Sequence, residues 1–309
     1  MIINNIQKYN AGALTKSEFI DVMYSQHQVL FEYAKLLQNI DIVSIEIKEG
    51  NVIFTSKEDQ IKFITQKPDK RTAPFEIINF GDYESQDAKF LYEIISDGDT
   101  ILDIGANIGW YSMSFAKKKP SSIIHAFEPL PETFSSLISN VNINHMSNII
   151  CNNFGFSNEA KTLTFYTSAH TSVSNSAINI TEDLFAKEVK CVVTTMDSYV
   201  SSNNITVDII KCDVEGAELL VYQGGEKTIS KNLPIVFTEM LRKWAAKFGY
   251  HPNDIIAFFS KFGYRCFTTS ENQIFNLSPI SSVSNSTVKT NFFFLHPDKH
   301  VEIIKKYGL

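Results

Sequence analysis

No two cysteines in this sequence form a CxxC pair, no apolar run approaches the ~20 residues of a membrane helix, and positive charge is not in surplus. Each absence excludes something. Cys151, Cys191, Cys212 and Cys266 are widely spaced, and three lie in apolar strand-like runs. Buried free thiols in a reducing compartment are therefore expected rather than a disulfide framework. The net charge of −6 argues against a nucleic-acid partner, because phosphate recognition needs clustered Lys and Arg. The run Lys117-Lys118-Lys119 reads as a helix end that complements the dipole. Residues 1–10 lack the basic and then apolar stretch of a secretory leader, so Asn179 and Asn285 are not glycan acceptors and the expected setting is cytoplasmic.

What is present fits a globular chain. Hydrophobic residues make up 44% and charged residues 20% of 309 residues, enough for one large α/β domain with an appendage. Residues 15–38 read as a helix opened by the capping box Thr15–Glu18. Short alternating stretches at 41–47, 52–55 and 61–65 predict an antiparallel meander. The charged, Pro-containing segment 67–74 marks a boundary, giving an N-terminal helix-plus-meander unit (1–75) and a main domain (76–309). In the main domain, strands at 100–104, 122–127, 149–155, 163–166, 207–212, 234–238, 263–269 and 291–296 alternate with helices at 109–118, 131–140, 217–224 and 252–261. That pattern predicts a mostly parallel sheet with helices on both faces.

The chemistry-bearing residues follow the first strand of that domain. Asp103-Ile-Gly105-Ala106-Asn107-Ile-Gly109 opens a helix with two glycines, which allow a tight turn and close approach of a ligand to the backbone. Its spacing is not the GxGxxG of a dinucleotide fold, and its acid precedes the glycines. Glu128, with Pro129, ends the next strand, where a carboxylate can accept both ribose hydroxyl protons of an adenosine. Trp110 opens the helix after the loop and can cover such a ligand or pack in the core. Asn152, Asn153 and Phe154, at the end of the third strand, are placed to contact adenine. Alternation along 207–212 puts Lys211 and Asp213 on one face, with Glu215 two residues on and Glu239 ending a neighbouring strand.

Together with Tyr83-Glu84 and Thr195-Met-Asp197, the segments Asp103–Gly109, Phe127-Glu-Pro129, Ile210–Glu218 and Val236–Glu239 resemble the FkbM family of S-adenosylmethionine-dependent methyltransferases. The resemblance spans about residues 77–296. It implies a class I methyltransferase-like Rossmann fold with a seven-stranded, mostly parallel sheet, and O-methylation of a sugar or polyketide hydroxyl. The expected acceptor is a nucleotide sugar or surface-glycan precursor. S-adenosylmethionine carries no phosphate, so its loop would use a carboxylate, Asp103, near the cationic amino-acid end. Expected cofactor residues are Tyr83, Glu84, Asp103, Gly105, Ala106, Asn107, Gly109, Trp110, Glu128, Pro129, Asn153, Phe154, Asp213 and Glu215.

Two routes for the chemistry stay open. Glu239 or Asp213 acts as base with Lys211 holding the carboxylate or the acceptor oxygen, His170 being a further base candidate. Otherwise Asp213, Glu215 and Glu239 hold a Mg²⁺ that polarises the hydroxyl. Glu215 and Glu218 also suit the first turn of the helix at 217, where negative charge is favourable. Outside this class stand a nicotinamide-dependent oxidoreductase and a cofactor-binding scaffold without turnover. The N-terminal helix either packs on its own meander or pairs two copies into a homodimer.

Overall fold

The computed structural model describes residues 1–65, 70–83, 85–167, 187–270 and 275–308. Two helices come first, α1 (Ile2–Asn10) and α2 (Lys16–Leu36). The Thr15 hydroxyl accepts the Glu18 amide, and the Glu18 carboxylate accepts the Thr15 amide at 2.8 Å, so the expected capping box is formed. Strands β1 (Ile42–Lys48), β2 (Asn51–Ser56) and β3 (Lys62–Thr65) make the expected antiparallel meander. Two helices absent from the sequence reading follow, α3 (Ala73–Phe80) and α4 (Ser85–Ile94).

From there the chain runs β4 (Thr100–Ile104), α5 (Trp110–Lys118), β5 (Ile123–Phe127), α6 (Pro131–Ile143) and β6 (Ile149–Asn152). A small sheet interrupts this winding, made of β7 (Gly155–Phe156), β8 (Lys161–Thr167) and β9 (Lys187–Thr194) in the order β7-β9-β8. The winding resumes with α7 (Met196–Asn203), β10 (Ile209–Cys212), α8 (Glu218–Gln223), α9 (Glu226–Asn232) and β11 (Ile235–Glu239). It closes with α10 (Arg242–Lys247), α11 (Pro252–Ser260), β12 (Arg265–Thr269), β13 (Leu277–Pro279), β14 (Asn291–Leu295) and α12 (Val301–Tyr307).

The main sheet has the order β13-β12-β14-β11-β10-β4-β5-β6. Strands β6, β5, β4, β10 and β11 are parallel neighbours, and β14 runs antiparallel between β11 and β12. This is a class I methyltransferase-like Rossmann fold; the seven expected strands are extended at one edge by β13. Strands covered on both faces should be apolar throughout, and β10 and β14 are buried at every position. Asp103 and Lys211 break that rule. They are register partners on the adjacent strands β4 and β10, so the two charges enter the interior together.

One hydrophobic cluster, with Phe115 and Leu137, also takes in Ile42, Phe54 and Phe63 of the meander. The other, around Tyr222, Phe259 and Phe294, fills the opposite face. The meander is further tied down where Asn140 and Asn144 of the α6 region accept the Ile64 and Lys62 amides at 2.7 and 2.8 Å. All four cysteines are free; three are buried and Cys151 is partly so.

Candidate functional site

Order along the sheet reverses at β4: the chain moves outward through β5 and β6, then returns to build β10 and β11 on the other side. Such a switch point leaves a crevice at the carboxyl ends of the strands. A cavity lies there, walled by the loop after β4, the ends of β5 and β10, and the small sheet.

The loop has the shape its glycines require. Gly105 sits at φ +79°, and a Cβ there would run into the Asp213 carbonyl. Gly109 caps α5 at φ +91°, packed against Leu137. Asn107, at φ +51°, turns the chain between them, and its Oδ1 is buried with no hydrogen-bond partner among the described residues. Glu128 is 6% exposed and braces the loop: Oε2 accepts the Asn107 amide at 3.1 Å and Oε1 the Leu130 amide at 3.0 Å. Burial pushes its carboxyl up to about 7 against the pull of those two amides.

The second half of the cavity is charged. Lys211, 4% exposed, places Nζ 3.1 Å from the Gly105 carbonyl oxygen, 3.4 Å from Asp103 and 3.7 Å from Asp213, over the Tyr111 ring. Asp213 keeps 31% of its side chain exposed. Glu215 stands at φ +56°, and burial, then the neighbouring Asp213, push its carboxyl up to about 9. Glu218 is structural: it accepts the Val214 and Gly216 amides, both at 3.1 Å, and the Tyr250 hydroxyl at 3.1 Å. Burial pushes it up to about 7.

Of the expected residues, Tyr83, Gly105, Ala106, Asn107, Trp110, Glu128, Pro129, Lys211, Asp213 and Glu215 line this one cavity. Asp103 does not. It is fully buried beneath the loop, where Oδ2 accepts the Ser112 hydroxyl and the carboxylate faces Lys211, while Oδ1 has no hydrogen-bond partner among the described residues. Gly109 is also off the lining, where its positive φ shapes the end of the loop. Asn153 and Phe154 are also off the wall: the predicted strand 149–155 breaks after Asn152, and Asn153 turns back to donate to the Glu128 carbonyl at 2.9 Å. Phe154 packs on Phe127 and Tyr199. Glu239 ends β11 beside Asn291, outside the cavity lining. Glu84 and His170 lie outside the described residues. Among the described residues no group of three or more His, Cys, Asp or Glu can hold a metal ion, so the carboxylate set Asp213, Glu215 and Glu239 does not form the expected Mg²⁺ site.

The sequence reading missed Arg71, Thr72, Phe156, Ser157, Leu163 and Phe165 on the cavity wall. Alternation along 161–167 already puts Leu163 and Phe165 on one face. Nothing local shows that β8 folds over the cavity, since its partner β9 is remote in sequence. Asp197, part of the family resemblance, caps α9 through the Lys227 and Thr228 amides. His125 is buried in β5, with Nδ1 2.7 Å from the Tyr199 hydroxyl.

Residues 103–266, more than half of the chain, match the methyltransferase FkbM domain. "Methyltransferase 1" of Beauveria bassiana (strain ARSEF 2860) is 31% identical over 146 residues, covering 41% of this chain and 59% of that protein. "31-O-demethyl-FK506 methyltransferase FkbM" of Streptomyces tacrolimicus is 37% identical over 67 residues, covering 18% and 26%. The chain thus spans well under two thirds of the length of either curated relative. A methyltransferase FkbM structure from Methylobacillus flagellatus KT aligns with TM-score 0.43 and 14% identity over 65% of this chain and 45% of that one.

Proposed function

The chain belongs to the FkbM methyltransferase family, and on that premise we propose that it is an S-adenosylmethionine-dependent O-methyltransferase acting on a sugar hydroxyl, in a nucleotide sugar or surface-glycan precursor. The observation that carries this reading is a single cavity that brings the nucleoside acid Glu128 together with the Lys211–Asp213 pair. The relative from Streptomyces tacrolimicus is named as a methyltransferase of an O-demethyl compound, which supports oxygen as the acceptor atom.

The residues present fit the cofactor. The positive φ of Gly105 and its lack of Cβ bring the loop backbone close to the cavity. Asn107 offers a buried acceptor, suited to an ammonium, that no protein group uses among the described residues. Glu128 has lone pairs beyond the two amides for ribose hydroxyls. Phe156, Leu163 and Phe165 give the apolar wall a purine needs. Arg71 supplies a cation for the methionine carboxylate.

When bound, S-adenosylmethionine supplies a methyl carbon made electrophilic by its sulfonium sulfur. The chain's own part is alignment and proton removal. Holding acceptor and donor in line accounts for ~7–11 kcal/mol of barrier lowering in well-oriented systems. Asp213, exposed to the cavity, takes the hydroxyl proton on its carboxylate. Lys211, fixed by Asp103 and the Gly105 carbonyl, sits 3.7 Å away and orients that carboxylate.

The test supplies purified chain with S-adenosylmethionine and a panel of nucleotide sugars and follows products by mass spectrometry. Release of S-adenosylhomocysteine with a methylated sugar is the expected result. Cofactor binding without turnover across the panel would leave a scaffold. Stabilisation by NAD⁺ but not by S-adenosylhomocysteine would overturn the reading in favour of an oxidoreductase.

A further inference from the structure

Helices α1 and α2 form a hairpin in which no residue is buried. Its composition is wrong for such a position. Phe31 is 72% exposed, Tyr24 65%, Leu30 59% and Ile20 54%, and Ile3 of α1 stands at 71%. The two helices meet each other, with Tyr9 stacked on Phe19 at 4.4 Å. Their lengths do not match. At 1.5 Å per residue α1 runs about 14 Å and α2 about 32 Å, so α1 can shield only part of α2. Beyond it, Val29, Leu30, Phe31, Tyr33 and Leu36 are bare on several sides of the helix. A helix apolar along one stripe packs on a single surface, whereas one apolar all round has to be enclosed.

Charge narrows the choice of occupant. Residues 1–37 hold Lys8, Lys16 and Lys35 against Glu18, Asp21 and Glu32, which sums to zero. No basic patch is available to draw the hairpin to an anionic bilayer. The net charge of −6 lies wholly in the rest of the chain. Two copies meeting through their hairpins would therefore join neutral segments and keep the acidic bodies apart. Area agrees. The exposed apolar side chains of the hairpin present on the order of 1,000 Å², against ~800 Å² per partner in a standard stable interface.

We propose that this hairpin is a self-association module: two copies of the chain pair hairpin to hairpin about a two-fold axis as a four-helix bundle, each α2 covering the bare half of the other. Half a bundle from each copy is the arrangement that encloses helices apolar on more than one side.

Sedimentation velocity of the full chain across the micromolar range tests this. The expected species has twice the chain mass. Leu30→Glu/Phe31→Glu should sediment as a monomer with unchanged S-adenosylhomocysteine binding and near-UV circular dichroism. The milder Leu30→Ala/Phe31→Ala should raise the dimer dissociation constant at least tenfold without the risk of misfolding. A wild-type chain that is monomeric throughout, or variants as dimeric as wild type, would overturn the proposal. So would a monomer that floats with phosphatidylcholine or phosphatidylserine vesicles, in favour of a lipid surface.

Discussion

The two ends of the cavity are built by different means. At the end proposed for the nucleoside one carboxylate, Glu128, is held by backbone amides of the stretch 105–130, and Phe156, Leu163 and Phe165 supply the apolar wall. At the other end five charged groups meet from three remote segments: Arg71, Asp103, and the Lys211–Asp213–Glu215 run. The first arrangement needs only a local turn for its carboxylate, though its apolar wall needs β8 paired with β9. The second needs the β4–β10 register and the N-terminal unit to be in place. A fold can hold the first constant and vary the second, which is where the proposed function puts acceptor choice and proton transfer.

The sharpest way to separate the ends is to disable one and read the other. Asp213→Asn keeps the shape but removes the proton acceptor, so turnover should fall by roughly 10²–10⁴-fold while S-adenosylhomocysteine affinity stays near wild type. Titration calorimetry beside initial rates reads both. Glu239→Gln, outside the cavity lining, should leave rates nearly unchanged; a loss equal to that of Asp213→Asn would move the base to Glu239.

Glu128→Ala should do the reverse. Charged hydrogen bonds contribute about 1.5–3 kcal/mol each, so losing two to ribose should weaken S-adenosylhomocysteine binding by about 10²–10⁴-fold. The pH dependence has a definite sign. The ribose hydroxyls select the ionised carboxylate, and that group sits near 7 in the free protein. Affinity should therefore tighten as pH rises from 6 to 8, and Glu128→Gln should lose that dependence. A flat wild-type profile would place the ribose elsewhere.

Stability should feel the acids next. Glu218, 2% exposed, rises from about 4.5 to about 7 through burial. Its folded state holds a proton that the unfolded chain has released, so stability present below pH 4.5 is lost as pH climbs through 7. The contribution is about 3 kcal/mol. The melting temperature should fall between pH 5 and pH 8, and Glu218→Gln should flatten part of that fall. Glu128 and Glu215 shift the same way, while His300, pushed down to about 4 by burial, opposes them below pH 6.5, so the fall should be steepest between pH 6.5 and 8.

How much of this was legible follows the same division. Glycines at a strand–helix junction, an acid one strand later and the alternation that joins Lys211 to Asp213 are local signals, and each led to a cavity residue. Asp103 was recognised as an acid of the loop but not as the partner of Lys211, because sequence does not show that register sets the two directly opposite each other. Asn153 and Phe154 failed by a strand break of two residues, which moved the wall to Gly155–Ser157. Arg71 was invisible for another reason. Its segment read as a boundary, and only the fold shows Arg71, Thr72 and Ala73 on the cavity wall.

Arg71 is therefore the finest test of the charged end, and it has a chemical control. Its side chain is 61% exposed and paired through Nε to Glu76, so a carboxylate held by it should gain only about 1 kcal/mol. Lys211, the other cation on the wall, is occupied by Asp103, Asp213 and the Gly105 carbonyl. Arg71→Ala should then weaken S-adenosylmethionine about fivefold while leaving decarboxylated S-adenosylmethionine, which has no carboxylate to hold, unaffected. Equal losses for both ligands would mean that Arg71 shapes the wall without reading charge. Equal retention of both would return the methionine end to the loop backbone alone and make the two ends of the cavity more alike than their charges suggest.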